Sequence, residues 1–238
     1  MVKTKQMNSK MQRKAKKDKY TVLTDIEHVL KRPDTYGGSV TEETWKININ
    51  GEVTDLTVVP MLFKVFDEAL VNAADNYTRK AGTTNIKIDI NQFEGRFSIY
   101  NDGKTVPIKY HSNKDALTGK KIYIPEMVFF RMRAGQNFDD NEVRYEGGRN
   151  GIGIKLASIF SEESLVECDD GKKKLVVKYK NNMKTRASIQ QSESDGNVHT
   201  QFSCKLDLQR FKLNDQPLTE IPDDIFALMK RRAFDVAA

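Results

Sequence analysis

Cysteine is nearly absent from this chain. Cys168 and Cys204 are the two among 238 residues, and no CxxC spacing joins them. That excludes a disulfide framework and a cysteine-built zinc site, and it fits a reducing compartment. Histidine is as sparse: His28, His111 and His199 are scattered, which argues against a histidine-built metal site. Long apolar runs are missing. None approaches the roughly 20 residues that a membrane helix needs, so no membrane partner is expected. The N-terminus is basic with no apolar stretch behind it, so it does not read as a secretory signal. Internal repeats and low-complexity tracts are lacking too. What remains is ordinary globular composition, 38% hydrophobic and 30% charged. The length is enough to bury a core in one large domain or two small ones.

Charge is present but unevenly placed. Residues 1–19 hold eight Lys or Arg against the single acid Asp18. Removing them from the totals of 39 basic and 33 acidic residues leaves a body with 31 and 32, close to neutral. The net charge of +6 therefore belongs to an arm. Such an arm is expected to be flexible and able to touch nucleic acid by charge alone.

Periodicity divides the rest. Thr24 to Leu30 reads as a short capped helix that stops before Pro33. Trp45 to Val59 alternates in two pieces around Asn50-Gly51, a hairpin signal. Pro60 to about Lys80 is the longest helical pattern, with Pro60 in its first turn and Gly82 past its end. Two alternating runs, 86–90 and 96–100, read as strands joined across Gln92–Gly95. Residues 103–122 form a polar loop and Pro125 to Arg133 a short helix. Residues 134–150 form a long loop of the kind that serves as a lid. Gly151 to Phe160 reads as a helix, followed by strands at 164–168, 174–180, 184–190 and 198–206. A final helix begins near Pro222. The expected class is α+β: a two-layer sandwich with a mixed, mostly antiparallel sheet covered by helices on one face.

Two segments carry the chemistry. On the long helix, Glu68, Asn72, Asp75, Asn76 and Arg79 share one face, while Leu62, Phe66, Ala69, Leu70 and Ala73 lie opposite. Asn is a poor helix-interior residue, by roughly 0.5 kcal/mol against Ala, so Asn72 and Asn76 ask for a reason. An amide oxygen suits Mg²⁺, which takes oxygen donors and keeps several waters. Glu68, one turn before Asn72, would take a proton from a water beside that metal. The second segment, Gly147 to Lys155, has glycines at 147, 148, 151 and 153. Such a loop turns backbone N–H groups toward an anion at a helix start. It is no Walker A motif, because Ile154-Lys155-Leu156 stands where Lys-Ser/Thr is required, and no dinucleotide fingerprint. Together the segments point to ATP and to its hydrolysis. Asn101-Asp102-Gly103 follows a strand, where an amide or carboxylate would accept from the adenine amine. It also reads as a plain turn.

These motifs, in this order, resemble those of the GHKL (Bergerat-fold) ATPases. Ile26 to Tyr36, Phe66 to Asn76, Asn137 to Asp140, Gly147 to Lys155 and the ending Leu228 to Asp235 are similar to the ATPase domain of type II DNA topoisomerases, of eukaryotic or large-phage flavour. The resemblance covers residues 20–238. It implies that Glu68 is the general base and Asn72 the Mg²⁺ ligand, with Asn76 and Arg79 near the phosphates and the metal. It implies that Asn101 reads adenine and Asn137 contacts ribose or phosphate. Gly148, Arg149, Asn150, Gly151, Ile152, Gly153 and Lys155 match the triphosphate cradle. Tyr20 matches an arm tyrosine that crosses to the partner's nucleotide. The pattern departs at Thr105, where the family often has a second Gly, and at Gly135 and Gln136, where eukaryotic relatives carry two Ser.

The resemblance also implies ATP-driven homodimerisation that captures a DNA duplex. It further implies partnership with other topoisomerase domains or subunits, among them a transducer domain whose lysine reaches the γ-phosphate. The chain is therefore expected to be a fragment of a longer protein, cytoplasmic, or nuclear if eukaryotic. Two other readings stand beside this one: a chaperone or mismatch-repair ATPase of the same fold, and a nucleic-acid-binding module with a vestigial nucleotide site.

Overall fold

The computed structural model describes residues 20–49, 51–79, 81–134 and 151–237, so the basic arm lies outside the described residues. Helix α1 (Asp25–Lys31) begins as its sequence requires. Glu27 N–H donates to Thr24 Oγ1, and Thr24 N–H donates back to the Glu27 carboxylate. A 3₁₀ turn, Pro33–Thr35, follows where Pro33 stops the helix. Strands β1 (Glu43–Ile49) and β2 (Glu52–Val58) pair as a separate hairpin with Ile49 opposite Glu52. Gly51 takes the positive φ of 95° that this turn needs.

Helix α2 (Pro60–Thr78) is the longest element. Pro60 opens it, where a missing N–H is harmless. Its buried stripe runs through Leu62, Val65, Phe66, Ala69, Leu70 and Ala73. Strands β3 (Ile86–Asn91) and β4 (Arg96–Asp102) form a hairpin across residues 92–95. After α3 (Ile124–Phe130) and α4 (Gly153–Ile159) come β5 (Ser161–Asp169), β6 (Lys173–Lys180), β7 (Thr185–Glu193) and β8 (His199–Leu206). The six strands stand in the order β3-β4-β8-β5-β6-β7, with every neighbouring pair antiparallel. The parallel component expected in the sheet reduces to a single bridge outside it, Thr41 to Lys212.

Alternation gives the sheet two unlike faces. Phe97, Ile99, Val166, Cys168, Val177, Phe202, Cys204 and Leu206 are buried. The opposite face carries ion pairs such as Lys178–Glu163 and Lys174–Glu167. Helices α2, α3 and α4 pack against sheet strands, and α5 (Asp223–Ala237) packs on α2 and β2. The α+β class with helices over an antiparallel sheet is what the sequence implies. Burial pushes both cysteine thiols up to about 12, which leaves them inert. Among the described residues no helix is long and apolar enough to cross a membrane.

Three local expectations need correction. The helix expected over Pro125 to Arg133 ends at Phe130, because Arg131 turns extended (φ −119°, ψ 123°). Its guanidinium donates to Tyr179 Oη at 2.8 Å and to Asp115 Oδ2 at 3.2 Å. The helix expected from Gly151 starts at Gly153, since Gly151 has a left-handed φ of 59°. A small hairpin, β9 (Lys212–Leu213) and β10 (Gln216–Pro217), was not expected. Asn214 and Asp215 both take positive φ at its tip, which their short polar side chains tolerate.

Buried Glu126 on α3 accepts from Tyr179 Oη at 2.8 Å and from Arg186 Nη1 at 3.2 Å, and it lies 3.7 Å from Arg131. Removing one member of a buried charge network leaves the others uncompensated. Glu126→Ala is therefore expected to destabilise the fold by about 3 kcal/mol. A urea midpoint equal to that of the wild type would show that the network does not hold α3 in place.

Candidate functional site

The polar face of α2 meets the start of α4. Glu68 is half-buried, and its Oε1 pairs with Lys64 Nζ at 2.5 Å. Its Oε2 rests against Gly153, so closely that a Cβ at position 153 would overlap it. Four residues on, Asn72 is half-buried, and its side chain makes no hydrogen bond to another described residue. Asn76 donates to Thr83 Oγ1 and to Lys104 carbonyl oxygen, each at 3.1 Å, so it ties α2 to the turn after β4. Arg79 caps α2 and lies 3.8 Å from Asp75.

The turn after β4 is built tightly. Asn101 is buried on the face of β4 shared by Phe97 and Ile99, beneath the helices. Its amide nitrogen donates to Asp102 carbonyl oxygen at 3.0 Å, and across the ladder it faces Thr200 of β8. Thr200 Oγ1 lies 2.6 Å from Thr105 Oγ1. The side chain that replaces the family's second glycine thus forms a hydroxyl pair beside Asn101. Gly103 has φ 88°, and a Cβ there would lie 2.7 Å from Thr83 N and 2.9 Å from Ala81 O. Only glycine fits.

Asp102 points away from this corner. Its carboxylate accepts from Thr84 N–H (2.7 Å), Thr84 hydroxyl (2.6 Å), Asn85 N–H (2.9 Å) and the Asn85 amide (3.1 Å). Desolvation raises its pKa, but the bonds from Thr84 and Asn85 outweigh this and hold it well below the usual carboxylate range. Asp102 is therefore committed to Thr84 and Asn85, while Asn101 lies on the buried face of β4.

Lys155 is buried on α4, and its ammonium donates to Ala134 carbonyl oxygen at 2.6 Å. Burial pushes its pKa down to about 8. Gly151 backs onto the same residue, since a Cβ there would lie 2.8 Å from Ala134 O. Ile152 is the N-cap of α4. Asn137, Gly148, Arg149 and Asn150 lie outside the described residues. Tyr20 is described and 87% exposed.

Glu68, Gly151, Ile152, Gly153 and Lys155 are thus brought together between α2 and α4, with Asn76 and Asn101 at the turn after β4. Lys64, Thr84, Asn85 and Thr200 escaped the sequence reading. Lys64 had a signal, its position one helical turn before Glu68. Thr200 had none, because only the strand order sets it beside Asn101.

An antiparallel sheet covered by helices, with a glutamate-bearing helix pressed on a glycine-opened one, makes this an α+β module. The chain matches no family model. It is 40% identical over 228 residues to DNA topoisomerase 2 of Saccharomyces cerevisiae, a match covering 92% of this chain and 15% of that protein. It is 38% identical over 225 residues to DNA topoisomerase 2-alpha of Gallus gallus, covering 92% and 14%. The crystal structure of the ATPase region of the Saccharomyces cerevisiae enzyme superposes with a TM-score of 0.81 at 39% identity, over 92% of this chain and 57% of that one. The chain belongs to the ATPase regions of type II DNA topoisomerases. It spans about 15% of the length of the curated relatives it matches.

A lysine whose pKa falls on folding binds its proton less well in the native state. Stability attributable to Lys155 is therefore lowest below pH 8 and rises as pH climbs from about 8 toward the unfolded value of 10.5. The melting temperature of wild type minus that of Lys155→Met is expected to increase between pH 7 and pH 10. A difference that stays constant across that range would mean that burial does not strain this ammonium.

Proposed function

We propose that this chain is the ATP-binding and ATP-hydrolysing gate of a type II DNA topoisomerase, with residues 20–238 as the ATPase domain and 1–19 as a basic arm. One observation carries the reading: the Glu68 carboxylate lies against Gly153, at the exit of the glycine-rich loop. A triphosphate cradled by that loop would bring its terminal phosphorus beside a carboxylate able to deprotonate a water. Asn101 reads the adenine, Lys155 and the loop around Arg149, Asn150 and Gly151 hold the phosphates, and Arg79 lies toward the metal end.

Mg²⁺ fits the donors present. The Asn72 amide oxygen is a hard ligand with no competing partner among the described residues. The described residues hold no group of three or more His, Cys, Asp or Glu able to bind a metal by themselves. That suits an ion held mainly by phosphates and water. When bound, the ion neutralises charge on the phosphates. Glu68 takes the proton from water, and Asn72 orients the metal end of the site.

In the longer protein, ATP would favour pairing of two copies around a DNA duplex. That requires ATP to bind the paired state better than the separated one. Tyr20 would reach the nucleotide of a second copy, and its 87% exposure supports that reading. Identity of 40% with a DNA topoisomerase 2 favours this job over a chaperone or mismatch-repair role for the same fold.

Calorimetric titration with a non-hydrolysable ATP analogue is expected to give one magnesium-dependent site per chain. No binding at millimolar analogue would favour a binding module with a vestigial site. Glu68→Ala is expected to keep nucleotide binding and lose roughly 10²–10⁴-fold in turnover, the range for a general base. Unchanged turnover removes Glu68 from the mechanism. Asn72→Ala is expected to abolish the difference in affinity with and without Mg²⁺.

A further inference from the structure

Between β4 and α3 lies a basic excursion whose lysine side chains take no part in the nucleotide site. Residues 103–124 carry five lysines, Lys104, Lys109, Lys114, Lys120 and Lys121, and a single acid, Asp115. Taking them from the body's 31 basic and 32 acidic residues leaves 26 and 31. Positive charge is thus gathered on one segment of a body that is otherwise acidic. All five lysines are exposed, and none has an ion-pair partner among the described residues. Lysines on the sheet behave differently: Lys174, Lys178 and Lys205 meet Glu167, Glu163 and Glu162.

Hydrogen bonds fix the shape of this excursion. At its root, Lys104 N–H donates to Ala81 carbonyl oxygen at 2.8 Å. Further out, His111 N–H donates to Ile122 carbonyl oxygen and Ile124 N–H to Lys109 carbonyl oxygen, each at 2.9 Å, which joins the two arms. Tyr110 stacks on Tyr123 across them, with ring centres 4.1 Å apart. At the tip, Asp115 N–H donates to Lys120 carbonyl oxygen and Gly119 N–H to Asp115 carbonyl oxygen, each at 2.8 Å. The one acid is already spent. Burial raises the pKa of Asp115, but the Thr118 hydroxyl at 2.8 Å and the Arg131 guanidinium at 3.2 Å outweigh this and hold it below the usual carboxylate range. Asp115 therefore faces inward to Arg131, and the lysines are left to solvent.

We propose that residues 109–121 are a contact surface for duplex DNA, with Lys109, Lys114, Lys120 and Lys121 set on backbone phosphates. Lysine ammoniums are compact point charges that suit phosphate. Protein interfaces are poor in Lys and rest on an apolar centre, whereas the large apolar residues exposed on this excursion are only Tyr110 and Leu117. A single strand calls for open aromatic platforms, and the Tyr110 ring is already stacked on Tyr123. Contacts of this kind position a duplex without reading its sequence. The choice of duplex DNA as the partner rests on the topoisomerase reading of the chain, while the unpaired charge on the surface does not.

The test is fluorescence anisotropy of a labelled duplex titrated with the 238-residue chain, across about 50 to 200 mM salt. One variant carries Lys109→Gln, Lys114→Gln, Lys120→Gln and Lys121→Gln. A matched variant carries Lys14→Gln, Lys16→Gln, Lys17→Gln and Lys19→Gln in the arm. Each phosphate contact adds about 0.9 to the slope of log affinity against log salt, so the loop variant is expected to flatten that slope by about 3 to 4 and to bind more than about tenfold more weakly at 0.1 M salt. Arginine at the same four positions keeps the slope. The melting temperature and the affinity for a non-hydrolysable ATP analogue stay at their wild-type values, because these side chains pack on nothing and lie outside the nucleotide site.

A wild-type slope in the loop variant overturns the proposal, as does a loss confined to the arm variant, which would give the DNA contact to residues 1–19. Tighter binding of a single strand of the same length, lost in the loop variant, overturns the choice of a duplex. Absence of duplex binding together with loop-dependent binding of polyglutamate makes the partner an acidic protein and overturns the choice of DNA. Failure of the wild-type chain to bind the ATP analogue, with the loop-dependent duplex affinity intact, counts against the gate reading and supports the surface.

Discussion

Position 153 has no room for a side chain, because the Glu68 carboxylate already occupies the place. That contact depends on the rotation of α2 about its axis, and three consecutive residues show how the rotation is fixed. Phe66 goes inward, edge-on to Phe97 of the sheet at 5.6 Å between ring centres. Asp67 goes outward to α5, where Arg232 Nε meets its Oδ1 at 2.7 Å. Glu68 is left pointing at α4. A helix advances about 100° per residue, so neighbours to the sheet and to α5 leave one direction for the third. The direction in which Glu68 points is thus set by the packing of the helix, and the apolar stripe that makes the core also aims the polar stripe.

The molecule treats its buried charges in two ways. Glu126 is surrounded by Tyr179, Arg186 and Arg131, so its desolvation is offset by hydrogen bonds and charge. Lys155 has one carbonyl and, among the described residues, no carboxylate partner, and burial drives its pKa down. The first arrangement holds a scaffold helix in place. The second keeps an ammonium under-satisfied at the place where an anion would be welcome. Local rules are broken where function is expected and obeyed elsewhere, as with the capping box of α1.

Much of this was legible in the chain, and the limits have physical causes. The periodicity of α2 revealed both its stripes, because a helix face depends on residues three and four apart. Gly103 was legible as a turn residue, though its tight approach to Ala81 and Thr83 was not. Helix α3 was read too long because Met132 and Arg133 continue a helical pattern, while the extended turn at Arg131 follows from partners on distant segments. The strands were found, but their order was not. Period-two alternation says that a strand has two faces, and it says nothing about its neighbours. For the same reason Thr200 was invisible as a companion of Asn101.

That strand order has a consequence for the timing of assembly. Strand β8 lies between β4 and β5, so the first hairpin of the sheet has no partner within the next several elements of the chain. The β3–β4 unit joins β5, β6 and β7 only when residues 199–206 slot in between them. Contacts so distant in sequence form late, because a long loop must close before they reward it. During synthesis, which runs from the N-terminus, the corner of Asn101, Thr105 and Thr200 is completed only after the last long strand has emerged. A nascent chain therefore carries the glutamate helix and the glycine loop well before it has the corner that would read a nucleotide base.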